Sequence, residues 1–422
     1  MNLNYARYVD KWVGLFLCLA LFAFERLTGP LRGRRLAPLL ATTPPRDGAP
    51  HTPRRILCMK FYGLGNIIML LPSLRALRER FPDAELDFAT LPGNVAVLER
   101  AGLVTRVLTV DVSGVLGFVR SLAALVVTLR RRGYDTVVDF EQFVKVSTVL
   151  GFLTGAEERI GFNTDGQRRG FLYTTRVVYT DSEHTSELFA RLLRPFGISG
   201  PLPRVGLRLE DSERQRVDEV LREAKVSPGH FPVVVVHVGI GMNFYRVPVK
   251  RWESENFAAL ADGLAVRYDA VVVFTGRGTE ERALIAETRA RMSHPAIDAC
   301  DRLDVCGLAA LVERCHFVVS NDTSVMHLAA LLGTPVVAIF GPTAPLHYGP
   351  RGDRDLVFYR DLYCSPCLTN YNLKLSRCTD PVCMRGIRPE TVLAAIGEHY
   401  LGETAEHRDW LRGRARRAAS AA

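Results

Sequence analysis

Residues 318–350 constrain the fold of this chain more than any other part of its sequence. A short apolar run is followed by five polar residues at 320–324, and the apolar spacing then predicts a helix over 326–332 that ends at Gly333. Residues 336–340 are all apolar, which is typical of a strand buried on both faces of a parallel sheet. The polar turn is therefore predicted to lie at the carboxyl end of a strand, where open α/β sheets bind their ligands.

This predicted turn suits a diphosphate. Backbone N–H groups at a helix start have no partner within the helix, and the positive end of the helix dipole favours an anion. The spacing alone leaves an alternative open, which is a capped helix of a Rossmann-like domain that binds no ligand.

The sequence NDTSVMHLAALLGTPVVAIFGPT at residues 321–343, followed by YGP, resembles the sugar-nucleotide signature of glycosyltransferase family 9, the lipopolysaccharide heptosyltransferases. The pattern is specific because it fixes an Asp-Thr pair, a histidine four positions after the threonine, and a Gly-Pro-Thr loop. The resemblance spans roughly residues 54–395. It implies the GT-B architecture, an α/β fold of two Rossmann-like domains with a cleft between them.

The resemblance also implies a set of donor-binding residues. Asp322, Thr323 and Ser324 are expected to contact the diphosphate or the sugar of the donor. His327 lies one helical turn beyond Thr323 and would face the same pocket. Thr343 in the following loop would reach the phosphates from the other side. The alternative for His327 is a core histidine that bonds to a backbone carbonyl.

Length supports two domains. A chain of 422 residues exceeds the size at which a single hydrophobic core stops growing, and alternating strand and helix patterns indicate parallel sheets. The predicted divisions are an amphipathic membrane-associated segment and linker at 1–53, an acceptor domain at 54–204, a sugar-nucleotide domain at 205–401, and a basic tail at 402–422.

The acceptor domain begins with a predicted strand at 56–59, a turn at 61–66 and a helix at 67–81 that Pro72 would kink. A Gly-x-Gly turn between a strand and a helix is only a weak indication of phosphate binding. The alternative is that the glycines allow the turn to pack closely against its neighbours. Members of the family carry at this turn an aspartate that is regarded as the general base, whereas this chain has Asn66. An amide cannot take up the acceptor proton, although it can hold the acceptor by hydrogen bonds.

Two other side chains are candidates for the missing base. Asp139 and Glu141 lie at the carboxyl end of the strand predicted at 134–140, on the same rim as Asn66, and Glu141 is the favoured substitute. Asp139 is interpreted as capping or orienting a loop. His184 at the start of a predicted helix is the second candidate, with helix-start chemistry as its alternative.

The sugar-nucleotide domain supplies two further candidates. In Lys250-Arg251-Trp252, the spacing matches a family pattern in which the lysine meets the donor phosphates, where a cation would offset charge on the leaving group. A solvated lysine is the alternative. The family places a glutamate near the donor ribose at this turn, so the resemblance implies that Glu280 accepts from the ribose hydroxyls. A slip of one residue to Glu281 is possible, and helix-start chemistry is the alternative for either glutamate.

Four cysteines, Cys364, Cys367, Cys378 and Cys383, cluster near the end of the chain. Two pairs of thiols can build a structural zinc site, although the spacing of the second pair is unusual, and free thiols are the alternative. Because no cleavable secretory signal is evident, a reducing, cytosolic compartment is expected.

Residues 12–24 are almost wholly apolar and are flanked by Arg7, Lys11, Arg26 and further arginines. This run is shorter than the roughly 20 apolar residues that span a bilayer, so a helix lying on the inner, cytoplasmic face of the membrane is predicted. A true span that includes Leu27 is the alternative. The net charge of +9 comes largely from the two ends of the chain. It favours a membrane surface and phosphorylated glycolipids as partners rather than nucleic acid, for which no binding module is recognised.

The resemblance implies an inverting, metal-independent transferase that needs no cofactor. Its expected donor is a nucleoside-diphosphate sugar, ADP-heptose in particular, and its expected acceptor is a lipopolysaccharide-core saccharide or a related glycolipid. One alternative is a degenerate protein that binds sugar nucleotides or glycans without catalysis because it lacks the aspartate at Asn66. A dinucleotide-dependent oxidoreductase is less favoured, since no Gly-x-Gly-x-x-Gly follows the first strand.

Overall fold

The computed structural model describes residues 10–28, 52–227, 229–241, 248–372, 374–402 and 413. The chain divides into two compact units after Val205, Met1–Val205 and Gly206–Ala422. The predicted basic tail, most of the arginines that flank the apolar run, and the linker before residue 52 lie outside the described residues.

The first unit is built on a parallel sheet of six strands in the order β3-β2-β1-β4-β5-β6. Its strands are β1 Arg55–Met59, β2 Glu85–Thr90, β3 Arg106–Thr109, β4 Thr136–Asp139, β5 Glu158–Asn163 and β6 Thr175–Val178. Its helices are α1 Leu15–Thr28, α2 Leu64–Arg80, α3 Val95–Ala101, α4 Val115–Arg132, α5 Lys145–Leu153 and α6 Thr185–Arg191. The central strands β1 and β4 are buried on both faces, as their apolar runs predict.

The second unit repeats this topology. Its six parallel strands stand in the order β12-β11-β10-β7-β8-β9, so that β7 and β10 occupy the places that β1 and β4 hold in the first unit. The strands are β7 Val233–His237, β8 Val271–Thr275, β9 Ile297–Asp298, β10 Phe317–Asn321, β11 Val336–Ile339 and β12 Leu356–Phe358. The helices are α7 Asp211–Glu223, α8 Ser254–Tyr268, α9 Gly278–Ala290, α10 Val305–Arg314, α11 Ser324–Leu331, α12 Pro345–Tyr348, α13 Val382–Arg385 and α14 Pro389–Ile396.

This strand order places a topological switch point in each sheet, between β1 and β4 and between β7 and β10. Connections leave these neighbouring strands in opposite directions, which opens a crevice at their carboxyl ends. The predicted α/β class with parallel sheets is therefore confirmed. The crevices mark where each unit can bind a ligand.

Helix α2 differs from its prediction in where it begins. Gly63 has a left-handed backbone (φ 87°), and α2 begins directly after it, three residues earlier than the apolar spacing indicates. Asn66 therefore lies in the first turn of the helix. Pro72 is accommodated inside α2, which continues from Leu64 to Arg80.

The apolar segment near the amino terminus packs on the first unit. A π-helical turn at Asp10–Gly14 leads into α1, whose Cys18 is fully buried against Val149 of α5 and Leu172. The connection between β5 and β6 contains only a 3-10 turn at Gly170–Leu172, and α1 lies on that turn. Among the described helices, none combines the length and the hydropathy needed to cross a bilayer.

Candidate active site

The turn between β10 and α11 is held by Asn321, the last residue of its strand. The Asn321 amide donates to the carbonyl oxygens of Val238 and Gly239 at 3.1 Å, and its oxygen accepts from the backbone N–H of Trp252 at 3.1 Å. These bonds join the carboxyl end of β10 to that of β7. They fix the backbone from which Asp322 projects.

Asp322 is the centre of a buried polar cluster. Lys250 Nζ lies 2.6 Å from Asp322 Oδ2 and donates to the Asp322 carbonyl oxygen at 3.0 Å. The Thr343 hydroxyl donates to the same carboxylate oxygen at 2.8 Å. The structure thus brings together three residues that the sequence analysis predicted at one site, although 72 positions separate Lys250 from Asp322.

The charge of Asp322 is stabilised by its neighbours. Burial raises the pKa of this carboxyl group, but Lys250, Lys374 and His327 act in the opposite direction and lower it to about 2. Asp322 is therefore ionised throughout the physiological range, so it can hold cations but cannot exchange protons near neutral pH.

The start of α11 is arranged for a ligand. Thr323 is the N-cap residue, yet within the described structure its side chain makes no capping hydrogen bond, because its hydroxyl pairs with Ser320 Oγ at 3.0 Å. The first-turn N–H groups, beginning at Ser324, have no partner within the helix, and such groups can receive an anion. His327 lies one turn further along, buried and close enough to Asp322 to affect its charge.

Lys374 joins this cluster and was not predicted from the sequence. It lies close enough to Asp322 to lower the pKa of that carboxyl group, and its ammonium stands 4.3 Å from the centre of the Tyr348 ring. Its loop is anchored beside Thr343, because the Leu368 N–H donates to the Pro342 carbonyl at 2.8 Å. Two lysines, rather than one, therefore surround the start of α11.

The structure distinguishes between the two glutamates at the start of α9. The Glu280 side chain is 78% exposed and pairs with Arg251 at 3.1 Å. Glu281 is far less exposed, accepts from the Arg277 N–H at 2.8 Å, and lies so close to Gly239 that a Cβ there would stand 2.1 Å from Glu281 Oε1. Glu281, not Glu280, is therefore the glutamate that faces the crevice beside β7.

His237, the last residue of β7, is a second residue that sequence reasoning missed. It lies with Nε2 at 3.8 Å from Glu281 Oε1 and bonds through Nδ1 to the Thr275 carbonyl at 3.0 Å. Burial lowers the pKa of its imidazole, so the ring is neutral at pH 7. Its position at the carboxyl end of an apolar strand, two residues before Gly239, is the sequence feature that could have identified it.

The corresponding crevice of the first unit contains a different arrangement. Lys60 Nζ lies 2.7 Å from Glu141 Oε2, and both side chains are almost fully buried. The other Glu141 oxygen accepts from the N–H groups of Phe61 at 2.7 Å and Tyr62 at 3.1 Å. With three donors on one carboxylate, Glu141 holds the turn that leads to Asn66.

Asn66 itself stands against that turn. Its amide lies 3.5 Å from the Tyr62 carbonyl, and a Cβ at Gly63 would come within 2.7 Å of the amide nitrogen. Gly63 is therefore required both by its left-handed backbone and by the close approach of Asn66. The side chain is partly buried and lies at the carboxyl edge of β1.

Asp139 has the structural role that the sequence analysis favoured. It accepts from the Glu141 N–H at 2.9 Å, and it pairs with the buried Arg169 at 2.8 Å and with the Tyr173 hydroxyl at 2.6 Å. Arg169 also donates to the Glu141 carbonyl. This network fixes the segment that carries Glu141.

His184 is the N-cap residue of α6. Its Nδ1 accepts from the Ser186 N–H at 3.3 Å and lies 2.7 Å from the Ser186 hydroxyl. This bonding places the ring proton on Nε2, which makes that nitrogen a donor. The geometry favours helix capping for His184 and turn holding for Glu141, and their role as a base stays a prediction.

The zinc prediction is not supported. Among the described residues, which include all four clustered cysteines, no group of three or more potential ligands is arranged to hold a metal ion. Cys364 is exposed, Cys367 lies 3.4 Å from the Ser376 hydroxyl, and Cys378 is half-buried. Cys383 is buried against Gly341, and burial raises the pKa of its thiol.

Comparison with known proteins gives a consistent result. The sequence profile of glycosyltransferase family 9 (heptosyltransferase) matches residues 122–375. Lipopolysaccharide heptosyltransferase 1 of Pseudomonas aeruginosa is 27% identical over 373 residues, covering 81% of this chain and 97% of that protein.

Two solved structures share the fold. The glycosyl transferase family 9 protein from Veillonella parvula has a TM-score of 0.68 and 21% identity, covering 81% of this chain and 96% of its own. ADP-heptose lps heptosyltransferase II of E. coli has a TM-score of 0.64 and 20% identity, covering 82% and 98%. The family match spans more than half of the chain, and the protein is a GT-B glycosyltransferase that belongs to glycosyltransferase family 9.

Proposed function

We propose that this enzyme transfers heptose from ADP-heptose to a lipopolysaccharide-core saccharide or a related glycolipid. The observation that carries the proposal is the cluster of Lys250, Asp322 and Thr343 at the start of α11. The names of the relatives supply the sugar and the acceptor class. The P. aeruginosa relative is a lipopolysaccharide heptosyltransferase, and the E. coli structure is that of an ADP-heptose enzyme.

The donor diphosphate would bind at the start of α11. The first-turn N–H groups, which have no partner within the helix, and the helix dipole favour the anion. Lys250 can turn part of its charge toward the anion because 18% of its side chain is exposed. Asp322 keeps this lysine in place. As the sugar leaves, negative charge grows on the diphosphate, and the lysine and the N–H groups stabilise it without a metal ion.

We place the ribose of the donor beside Glu281 rather than Glu280. The Glu281 carboxylate lies against Gly239 at the crevice, whereas Glu280 points to solvent and pairs with Arg251. A carboxylate that accepts from ribose hydroxyls is the common solution in Rossmann-like domains.

The acceptor would bind to the first unit at the turn before α2. Asn66 would hold the acceptor by hydrogen bonds, and a direct displacement by the acceptor hydroxyl at the anomeric carbon would invert that carbon. Glu141 and His184 remain the proposed residues for removal of the hydroxyl proton, and exchange of each for a residue that cannot take up a proton tests this role.

We propose that the enzyme works at the cytoplasmic surface of the inner membrane. A glycolipid acceptor requires the enzyme to reach a bilayer, and the apolar residues Trp12 and Phe16 of the amino-terminal segment are exposed. Nucleic acid is not a proposed partner.

The test uses donor binding first and turnover second. Calorimetry with ADP-heptose, GDP-, UDP- and CDP-sugars should show preferential binding of ADP-heptose, and Asp322→Ala should weaken it at least about tenfold. The exposed Asp218→Ala on α7 is the matched control and should bind normally. Release of ADP with lipopolysaccharide lacking heptose as acceptor then shows transfer. Donor binding without turnover, or binding unaffected by Asp322→Ala, would contradict the proposal.

A further inference from the structure

The exposed apolar side chains of the first unit are concentrated on two helical segments. In the described part of that unit, every large apolar side chain with high exposure except Val178 lies on α4 or on α1 and the π-helical turn before it. These side chains are Trp12, Val13, Phe16, Leu17, Leu19 and Phe24 on the first segment and Val115, Leu116, Val119 and Val127 on α4. We name these ten residues the α1–α4 surface.

Both segments contact the same helix, α5. Arg130 of α4 donates to the Leu153 carbonyl at the end of α5. The Asp10 carboxylate accepts from the N–H groups of Lys145 and Val146 at the start of α5. The apolar residues of α1 and α4 therefore belong to one region of the first unit.

The helices also share a direction. Asp10 bonds to the start of α5, whereas Leu21 and Phe22 pack with the cluster near its end, so α1 runs parallel to α5. Helix α4 leads from β3 to the parallel strand β4, so it too begins at the carboxyl edge of the sheet. Most of the α1–α4 surface lies in the first turns of its helices, at the same edge as the Asn66 turn.

We propose that the α1–α4 surface docks on an anionic lipid bilayer, so that α4 is a second membrane-contacting element besides the amino-terminal helix. Exposed apolar patches of this extent mark an interaction site, and amphipathic helices bind bilayers through such faces. The inference rests on the proposed function, because a lipid-linked acceptor would then be presented at the edge that carries Asn66.

Charge selects the bilayer over a second copy of the chain. Helix α4 contains no acidic residue, and its Arg120, Arg130 and Arg131 are exposed. The carboxylate next to it, Asp111, precedes the helix and accepts from the Ser113 N–H at 2.8 Å. A two-fold contact centred on α4 would set its arginines against those of the second copy, whereas anionic head groups complement them.

The test is flotation of the full chain with vesicles of phosphatidylethanolamine and phosphatidylglycerol. Leu116→Gln with Val119→Gln should lower the partition coefficient at least about tenfold, and so should Trp12→Gln with Phe16→Gln, because each pair removes two apolar side chains from the contact. Val178→Gln with Val266→Gln, two exposed valines outside the surface, is the matched control and should bind as the wild type does. Vesicles of phosphatidylcholine alone, or high salt, should bind less protein.

The outcomes separate this inference from the proposed function. Lost flotation of the α4 variant with unchanged ADP-heptose affinity would support docking through the α1–α4 surface. Absence of ADP-heptose binding by the wild type would contradict only the proposed function. Normal flotation of the α4 variant would overturn the inference, as would a dimer in analytical ultracentrifugation that the α4 substitutions dissolve. Should that variant fold poorly, Val119→Trp provides a second test, in which brominated phosphatidylglycerol must quench more fluorescence than in the wild type.

Discussion

Each unit places a lysine–carboxylate pair at its switch point, and the two pairs differ in exposure. In the first unit, Lys60 and Glu141 lie 2.7 Å apart with side chains 2% and 3% exposed. In the second unit, Lys250 and Asp322 lie 2.6 Å apart, and the lysine is 18% exposed. The chemistry and the place in the fold are the same, but only one of the two lysines reaches a surface at which a ligand can bind.

This difference in exposure indicates different roles for the two pairs. In the almost fully buried pair, the second oxygen of Glu141 accepts from the N–H groups of Phe61 and Tyr62. In a pair whose lysine is partly exposed, the lysine can also bind an anionic ligand while the carboxylate keeps it oriented. The first pair therefore holds the turn that leads to Asn66, and the second is the pair that we propose binds the donor.

Substitution of Glu141 should have the largest effect on stability if the first pair is structural. Glu141→Gln should lower the free energy of unfolding by about 3–5 kcal/mol, because it leaves Lys60 charged and buried without its partner. Glu79→Gln is the control, since it breaks an exposed pair with Arg75 at 2.8 Å and should cost under about 1 kcal/mol. Urea unfolding measures both. A stable Glu141→Gln variant that had lost turnover would instead identify Glu141 as the base.

Acid unfolding tests whether the charge of Asp322 stabilises the fold. Its pKa of about 2 in the folded protein lies below the ordinary value of about 3.9, so its ionisation stabilises the fold above pH 4, and this contribution disappears as the pH falls through 2. The ionised Asp322 contributes about 2.5 kcal/mol to the free energy of unfolding. The stability difference between the wild type and Asp322→Asn, followed from pH 6 to pH 2, should shrink accordingly. A difference that is independent of pH would mean that Lys250 does not stabilise the charge.

Lys374 tests whether the donor site extends to the loop after Leu368. Lys374→Ala should raise the KM for the donor about tenfold with little effect on stability, because it removes one of two cations near the diphosphate. Lys225→Ala is a closely matched control, since Lys225 is also a left-handed lysine of the second unit (φ 57° against 58°). Equal KM values for the two variants would confine the site to Lys250.

Asn66 should give the smallest effect. Asn66→Ala should lower turnover about fivefold, which corresponds to one lost neutral hydrogen bond to the acceptor. Asn66→Asp places in the same turn the carboxylate that members of the family carry, and we expect faster transfer and a new dependence on pH. Turnover unaffected by either substitution would remove Asn66 from the acceptor site.

The sequence predicted which residues lie near Asp322 where those residues belong to a local pattern. Asp322, Thr323, Ser324 and His327 are neighbours on one turn and helix, and Thr343 follows one strand later. Burial on both faces similarly made the central strands recognisable as apolar runs. Local spacing was enough in these cases, since the motif and the element that carries it are contiguous.

Long-range pairing was not predictable in this way. Lys60 and Glu141 are separated by 81 positions and meet only because β1 and β4 are neighbours in the sheet. Lys374 lies in a loop with no periodic pattern. The choice between Glu280 and Glu281 depended on the helix phase, which is set by Gly278 at the start of α9 (φ 80°). One residue of phase turns a side chain from solvent to the crevice.

Replacing each lysine by methionine, which keeps the length of the side chain, tests the contrast most directly. The measurement combines calorimetric affinity for ADP-heptose with the free energy of unfolding for Lys60→Met and Lys250→Met. We predict that Lys250→Met loses at least about a hundredfold in donor affinity and about 2 kcal/mol of stability, because Asp322 then loses its ion-pair partner. Lys60→Met should lose about 3 kcal/mol of stability or more, while the folded protein binds the donor normally. Normal donor binding by Lys250→Met, or lost donor binding by a stable Lys60→Met, would contradict the account.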